Sequence, residues 1–238
     1  MLPLTLRISG KPWKAWWVSN AVFDCREPAA LLEGMRKARM AIGRGKVVCV
    51  PTDTVYGLVA DAFKPSATKA LRDARGMAER DPLAVLLPGI PTLRALAENV
   101  PDEVQALAQE FWPGALTIIT AAGESLMWDL GNTQGTVALR MPSERIVLEL
   151  LSETGPLVAS SAYRVGETGG VSAEQAEATF GDDVAVYLSS GASYSPGSLS
   201  TVIDATGLHK PGGTLRLVRE GAIPSADIYE VVDVSRFG

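Results

Sequence analysis

The chain has 238 residues, 47% of them hydrophobic, which is long enough to bury a substantial core in one large domain or two small ones. A formal net charge of -5 argues against a protein whose whole surface binds polyanions. The single histidine, His209, excludes a zinc site built on several histidines, and we interpret it as a solvated loop residue.

Helical and strand-like segments alternate along the whole chain. In order, the pattern predicts a helix at 27–45, a strand at 46–52, a helix at 66–74, a strand at 81–89, helices at 91–100 and 101–112, strands at 115–122 and 136–142, a helix at 143–155, a strand at 156–163, a helix at 172–181 with Ser172 as N-cap, and strands at 184–190, 200–206 and 214–220. This alternation favours one α/β domain with a twisted, mixed sheet covered by helices. The segment SSGASYSPGSLS is interpreted as a surface connection or a lid over a site.

Several features of the sequence indicate a cytoplasmic protein that does not enter a membrane. No apolar stretch approaches the roughly 20 residues of a membrane span, and the first twenty residues lack the continuous apolar region of a secretory signal. Cys25 and Cys49 are the only cysteines, too few for a disulfide framework, so a reducing compartment is expected. Trp13, Trp16 and Trp17, near the start of the chain, are expected to pack on the domain or to cover a dimer contact.

Polar side chains gather at four strand boundaries, where ligands of open α/β sheets tend to bind. The four clusters are PTDTVYG with Thr52, Asp53, Thr54 and Tyr56; LRMP with Arg140; ASSAYRVGETGG with Ser160, Ser161 and a glycine-rich tail; and SLSTVID with Ser198, Ser200 and Thr201. A turn or a surface ion pair explains each cluster alone equally well. Together, in a chain without a catalytic histidine, they indicate a site that binds and aligns a phosphate-bearing substrate.

No standard nucleotide motif accompanies these clusters in the sequence. There is no G-x-x-x-x-G-K-[ST], no G-x-G-x-x-G after a strand and no G-x-S-x-G elbow. A basic cluster, RKARMAIGRGK, is explained either by a phosphate or RNA contact or by a solvated helix face; its members are Arg36, Lys37, Arg39, Arg44 and Lys46. The residues alone therefore predict an α/β domain with a cleft for phosphate and a small polar ligand.

Seven sequence blocks carry a resemblance to a known family. They are PTDTVYGLVADAF, ARGMAERDPLAVLL, FWPGALTII, TVALRMP, PLVASSAY, LSTVIDATG and LRLVREGAIP. In order and spacing the chain resembles the YrdC/Sua5 family of threonylcarbamoyl-AMP synthases. The resemblance implies one YrdC-like domain at 28–225, with a twisted mixed sheet and helices around a large, positively lined cleft, between an N-terminal extension at 1–27 and a C-terminal tail at 226–238.

The resemblance also implies a nucleotidyl transfer. L-threonine, bicarbonate and ATP would give threonylcarbamoyl-AMP and pyrophosphate, with Mg²⁺ accompanying the ATP and no metal bound by the protein itself. The product would pass to partner proteins that make the t6A modification of tRNA. The carboxylated threonine amine can itself attack the α-phosphate, so the chemistry needs positioning groups and positive charge and no catalytic histidine.

The family's site residues carry over to named positions of this sequence. Threonine binding would fall to Thr54, Arg140, Ala159 and Ser200, with Arg140 on the amino-acid carboxylate. ATP binding would fall to Asp81, Thr136, Ser161, Gly169 and Arg219, and Arg75 is the candidate for a catalytic cation.

Three positions depart from the family pattern. The usual K-x-R is Arg75-Gly76-Met77, the usual S-x-N is Ser161-Ala162-Tyr163, and Leu86 stands where a histidine is common. Two alternatives to the synthase therefore remain. One is a paralogue that binds RNA, a nucleotide or a carbamoylated metabolite. The other is carbamoyl-adenylate chemistry on a different acceptor, as in the homologous module of hydrogenase-maturation carbamoyltransferases.

Overall fold

The computed structural model describes residues 22–124, 126–192 and 199–238. The tryptophans at 13, 16 and 17, Ser198 and the centre of the segment at 189–200 lie outside these residues, so the expectations for them stay predictions. Within the described part of the chain, no helix is both long and apolar enough to cross a membrane.

The described residues form ten strands and seven α-helices. The strands are β1 (Val22–Asp24), β2 (Val48–Val50), β3 (Gly57–Asp61), β4 (Ala84–Leu86), β5 (Leu116–Ala121), β6 (Thr136–Arg140), β7 (Leu157–Ser161), β8 (Val186–Ser189), β9 (Thr201–Asp204) and β10 (Arg216–Arg219). The helices are α1 (Pro28–Gly43), α2 (Pro65–Arg75), α3 (Ile90–Leu96), α4 (Asp102–Phe111), α5 (Arg145–Thr154), α6 (Ala173–Phe180) and α7 (Ser225–Val231).

All ten strands belong to one mixed sheet, as the sequence predicts. Its order is β1-β8-β2-β3-β7-β4-β6-β5-β9-β10. Four neighbouring pairs are parallel, namely β1/β8, β8/β2, β4/β6 and β5/β9, and the other five are antiparallel. Because most neighbours in the sheet are distant in sequence, residues from many parts of the chain meet on one face.

Helix boundaries follow the expected local chemistry. α1 and α2 both begin with proline at the first helical position, where a missing N–H costs nothing. α1 buries Met35, Ala38 and Ile42, which recur at helical spacing. α2 ends at Gly76, whose φ of 74° is the left-handed conformation that terminates helices. This cap fixes the direction in which the Arg75 side chain leaves the helix.

The two faces of the sheet are covered differently. Helices α2, α3, α4, α6 and α7 pack on one face, against side chains such as Val85, Leu139 and Val158. On the other face, α1 and α5 pack over Val48, Val50 and Val59, and this hydrophobic cluster extends to Leu86 and Leu157. Since side chains alternate along a strand, the neighbours of Leu86 and Leu157 on β4, β6 and β7 continue that second face.

Sequence and structure differ mainly in the short elements. The sequence pattern does not predict β1, β3 or α7, because each is brief. The two strands, β1 and β3, also contain glycine, alanine or aspartate, which are poor strand formers. β1 lies in the predicted extension at 1–27 and pairs with β8, and most of α7 lies in the predicted tail at 226–238. The division of the chain at residues 27 and 225 stays a prediction, and both flanks contribute to the folded domain.

Candidate functional site

A cavity of about 740 Å³ lies on the second face of the sheet, beyond the cluster that α1 and α5 cover. Every second residue of β4, β6 and β9 points into it, for example Ala84, Leu86, Ala138 and Val202. Further lining residues are Arg75 at the end of α2, Ser160 and Ser161 at the end of β7, and Arg219 at the end of β10. Connecting segments also contribute to the wall: Thr52, Thr54, Met77, Asn132, Thr133, Gln134, Tyr163, Leu199, Ser200 and Thr206. Such a volume suits a small-molecule substrate.

The PTDTVYG segment forms the tight connection between β2 and β3, which pair antiparallel. The Thr52 hydroxyl stabilises this turn, because it donates to the Val55 carbonyl oxygen at 2.5 Å and accepts from the Thr54 N–H at 3.2 Å. Thr54 lines the cavity, and its hydroxyl lies 3.1 Å from that of Thr52. The segment is therefore both a turn and part of a binding wall.

Tyr56, the aromatic residue of that segment, has a structural role. Its ring is fully buried in the core, and its backbone N–H donates to the Gly170 carbonyl oxygen at 2.7 Å. Its hydroxyl lies 3.3 Å from the Ser190 hydroxyl and accepts from the Ser190 N–H at 3.2 Å. Tyr56 thus ties the loop after β2 to the end of β8, outside the cavity walls.

Arg140 is a buried cation at the end of β6, with only 7% of its surface exposed. Its Nε donates to the Gly114 carbonyl oxygen at 3.1 Å and its Nη1 to the Thr54 hydroxyl at 3.0 Å. Nη2 lies 2.8 Å from Asp53 Oδ1, but its N–H bonds are not aligned with that oxygen, so the contact is an ion pair that leaves a buried donor without an aligned acceptor. Burial lowers the pKa of Arg140, and Asp53 counteracts the shift.

The four residues predicted to bind threonine line one cavity; they are Thr54, Arg140, Ala159 and Ser200. Their roles in binding stay predictions. Thr117, a lining residue that the sequence analysis did not name, shares a hydrogen bond of 2.8 Å with the Ser200 hydroxyl.

Arg219 stands at the β10 side of the cavity. Its guanidinium donates to the Ser200 carbonyl oxygen through Nε at 3.1 Å and Nη2 at 2.8 Å. Burial lowers the pKa of this group as well. Thr136 and Ser161, also predicted on the nucleotide side, line the cavity with Arg219. The Thr136 hydroxyl donates to the Thr133 carbonyl oxygen at 2.7 Å, which orders the loop between β5 and β6.

Arg75 reaches the cavity wall but is held by its neighbours. Its Nε donates to the Tyr163 carbonyl oxygen at 2.7 Å, its Nη1 donates to the Ser160 hydroxyl, and its guanidinium carbon lies 4.8 Å from the centroid of the Tyr163 ring. The Met77 sulfur lies 3.8 Å from the same Ser160 hydroxyl. Of the three residues that depart from the family pattern, Tyr163 therefore contacts Arg75, and Met77 contacts its partner Ser160.

Two predicted nucleotide-side residues lie outside the cavity walls. The Asp81 carboxylate accepts from the Ala78 N–H at 2.9 Å and so stabilises its own turn. Gly169 packs under Tyr163, because a Cβ at Gly169 would lie 3.0 Å from the Tyr163 Cβ. Its small size is explained by this close approach. The loop residues Asn132, Thr133 and Gln134 line the cavity instead. No motif in the sequence marks them, because the order of the strands brings them to the site.

The basic cluster of α1 lies apart from this cavity. Arg36 and Lys37 both pair with Glu33, and Arg39 pairs with Glu153. Arg44 and Lys46, with Arg36 and Lys37, line a separate groove whose other residues include three aspartates, Asp73, Asp182 and Asp183. These pairings agree with a solvated helix face and do not support a nucleic-acid contact.

The charge of the cavity is positive. Arg75, Arg140 and Arg219 line it, against one lining carboxylate, Asp204, which is engaged by the Thr206 hydroxyl and by Arg216. Among the described residues, no group of three or more histidine, cysteine, aspartate or glutamate side chains could hold a metal ion. Such a positively charged cavity can hold a carboxylate or phosphates.

Comparisons with known proteins agree with this geometry. The profile of the Sua5/YciO/YrdC family, described as telomere recombination, matches residues 40–221. A protein of Mycobacterium tuberculosis H37Rv, named as a candidate threonylcarbamoyl-AMP synthase, is 43% identical over 212 residues, which cover 89% of this chain and 95% of that protein.

A threonylcarbamoyl-AMP synthase of Pyrococcus abyssi is 35% identical over 201 residues and covers 82% of this chain. A crystal structure of P. abyssi Sua5 with L-threonine superposes with a TM-score of 0.77 and 33% identity over 86% of this chain. This chain spans 57% of that synthase and 58% of the crystallised chain, so the archaeal proteins contain a further region.

Proposed function

The chain belongs to the Sua5/YciO/YrdC family, and from that membership we propose that it is an L-threonylcarbamoyladenylate synthase. It forms threonylcarbamoyl-AMP and pyrophosphate from L-threonine, bicarbonate and ATP, and thereby supplies the t6A modification of tRNA. The observation that carries the proposal is Arg140, a buried arginine at the wall of a cavity of about 740 Å³, whose Nη1 donates to the Thr54 hydroxyl.

The threonine side of the proposal follows from the contacts of that guanidinium. An amino-acid carboxylate that reaches the Arg140 guanidinium from the cavity would form a charge-assisted hydrogen bond with it. The hydroxyls of Thr54 and Ser200 line the same wall and can hold the amino and hydroxyl groups of threonine. A Sua5 protein with L-threonine bound supports this choice of amino acid.

The nucleotide side of the proposal uses the rest of the cavity. Arg219 and Arg75 provide positive charge for phosphate oxygens, and Thr136 and Ser161 provide hydroxyls. Asp81 and Gly169 would support the nucleotide side indirectly. Asp81 stabilises the turn before β4, and Gly169 leaves room for Tyr163. Mg²⁺ enters with ATP as part of the substrate, coordinated by phosphate oxygens and water.

The reaction needs alignment more than a protein nucleophile. The threonine nitrogen attacks the carbon of bicarbonate, and water leaves, which gives a carbamate. A carbamate oxygen then attacks the α-phosphorus of ATP, and the bond to the β-phosphate breaks with release of pyrophosphate. Arg140 fixes the carboxylate end of the nucleophile, while Arg75 and Arg219 stabilise negative charge near the phosphates. Because the product serves tRNA, we place the reaction in the cytoplasm.

An isotope experiment tests the proposal. Purified protein is incubated with ATP, Mg²⁺, L-threonine and ¹³C-bicarbonate. The products are separated quickly and identified by mass spectrometry. We expect threonylcarbamoyl-AMP that carries one ¹³C atom. A ¹³C-labelled adenylate that forms equally well without threonine would contradict the synthase, and so would the absence of any labelled adenylate.

A further inference from the structure

Asp53 lies between the buried cation of the site and the start of α5. Its Oδ1 is 2.8 Å from Arg140 Nη2 and accepts from the Ser143 N–H at 3.0 Å. Both side chains of the ion pair are largely shielded, with 9% of the Arg140 side chain and 15% of the Asp53 side chain exposed. Asp53 itself does not line the cavity, whereas Arg140 does.

Among the residues that the structure describes, Asp53 is the carboxylate that forms an ion pair with Arg140. Glu144 lies nearby, but its carboxylate accepts from the N–H groups of Ile146 and Val147 at the start of α5. Arg219, the other charged group that acts on Arg140, is a cation. A buried cation needs a counterion, so Asp53 compensates Arg140 in the free protein.

An incoming carboxylate must share the guanidinium with Asp53. Nη2, the atom that Asp53 contacts, is itself buried, whereas Arg140 as a residue lines the cavity. A ligand carboxylate that reaches the guanidinium from the cavity would therefore lie close to Asp53, and two carboxylates at one guanidinium repel each other. The ion pair therefore stabilises the empty site and weakens the filled one.

We propose that Asp53 is an internal counterion that stands in for the substrate carboxylate and thereby limits the affinity for threonine. It acts through Arg140 and is a positioning residue, because it touches no substrate. In the free protein it keeps the buried guanidinium in place, and when threonine binds it becomes the weaker of two competing acceptors. The assignment of threonine as the ligand rests on the proposed function.

The variant Asp53→Asn tests this role. The amide oxygen of asparagine can still accept from the Ser143 N–H, so the loop keeps its support while the negative charge is removed. The unliganded variant should have a lower Tm than the native protein, because Arg140 loses its counterion. Its KM for L-threonine should fall on the order of tenfold, since the substrate carboxylate no longer competes with a second anion.

A matched control removes an exposed carboxylate that does not line the cavity. Asp73→Asn breaks an exposed ion pair with Lys69 and should change neither the Tm nor the KM appreciably. If Asp53 merely supports the loop, Asp53→Asn would lower the Tm and raise the KM together. That result would overturn the inference.

Sodium acetate provides a readout that does not depend on the proposed function. Acetate should raise the Tm of Asp53→Asn more than that of the native protein, whereas sodium chloride at equal ionic strength should not. An equal effect of acetate on both proteins would contradict the counterion role even if the enzyme makes threonylcarbamoyl-AMP. If the acetate effect is present but threonine gives no turnover in the native protein, the proposed function fails and the counterion role stands.

Discussion

Replacing Arg140 with lysine should weaken threonine binding strongly while keeping the positive charge of the site. The guanidinium uses three separate nitrogens toward the Gly114 carbonyl, the Thr54 hydroxyl and the Asp53 carboxylate. A lysine ammonium is a single point and cannot hold all three partners and also a substrate carboxylate. Arg140→Lys therefore keeps the positive charge but removes the forked arrangement of three guanidinium nitrogens, which tests their geometry apart from the charge.

The size of the effect follows from the hydrogen bonds that are lost. A charge-assisted hydrogen bond contributes about 1.5–3 kcal/mol. If lysine keeps one contact to the substrate carboxylate and loses the second, KM for L-threonine should rise by roughly 10- to 150-fold at 1.4 kcal/mol per factor of ten. Steady-state pyrophosphate release, measured against threonine concentration at saturating ATP, gives that value directly.

The control for this prediction is an exposed arginine on α1. Arg36→Lys replaces a guanidinium that pairs with Glu33 at the surface, and it should leave the KM for L-threonine and the KM for ATP unchanged. A KM for threonine in Arg140→Lys within about twofold of the native value would refute the fork geometry as the basis of carboxylate binding. A rise in the KM for ATP alone would instead put Arg140 on the nucleotide side.

Three further outcomes are expected. Met77→Arg combined with Tyr163→Asn should increase pyrophosphate release, because it adds a cation beside Arg75 and removes the ring packed against it; no increase would mean that the site is organised differently. Ser200→Ala removes two side-chain hydrogen bonds and should lower stability by about 1 kcal/mol in urea unfolding and raise the KM for threonine; an unchanged KM would remove Ser200 from the site. Burial raises the pKa of the Cys25 thiol from 9.0 to about 11, and it raises the pKa of the Cys49 thiol as well. Because these thiols lose their protons more easily in the unfolded chain, unfolding releases protons above pH 9. The Tm should therefore fall from pH 8 to pH 10, and it should fall less in the variant with Cys25→Ala and Cys49→Ala.

The sequence predicts most of the fold because its apolar spacing is regular. Helices such as α1 and α4 carry clear helical periodicity, and β5 and β6 are rich in β-branched residues. β3 was not predicted because Gly57 opens it directly after the PTDTVY turn, so the turn chemistry hides the strand. The order of the ten strands is set by contacts between distant segments, which periodicity does not encode.

Some residues of the site can be predicted from the sequence, and others depend on contacts between distant segments. Thr54 and Arg140 could be predicted because each follows an apolar strand and stands in a recognisable block, and the structure brings them within 3.0 Å of each other. Thr117 could not be predicted, since its role depends on the pairing of β5 with β9, which puts its hydroxyl beside Ser200. For Gly169 the sequence predicts a phosphate contact, whereas the structure also gives this glycine a packing role beneath Tyr163, and its nucleotide contact stays a prediction.

We propose that threonine, bicarbonate and ATP react in this cavity. The most direct test is an experiment in which L-threonine and bicarbonate are left out in turn. Pyrophosphate release is measured with purified protein, ATP and Mg²⁺, first with both L-threonine and bicarbonate and then with each of them left out in bicarbonate-free buffer. We predict release above background only when both are present. Release that is equal without threonine or without bicarbonate, or no release at high enzyme concentration, would contradict the claim.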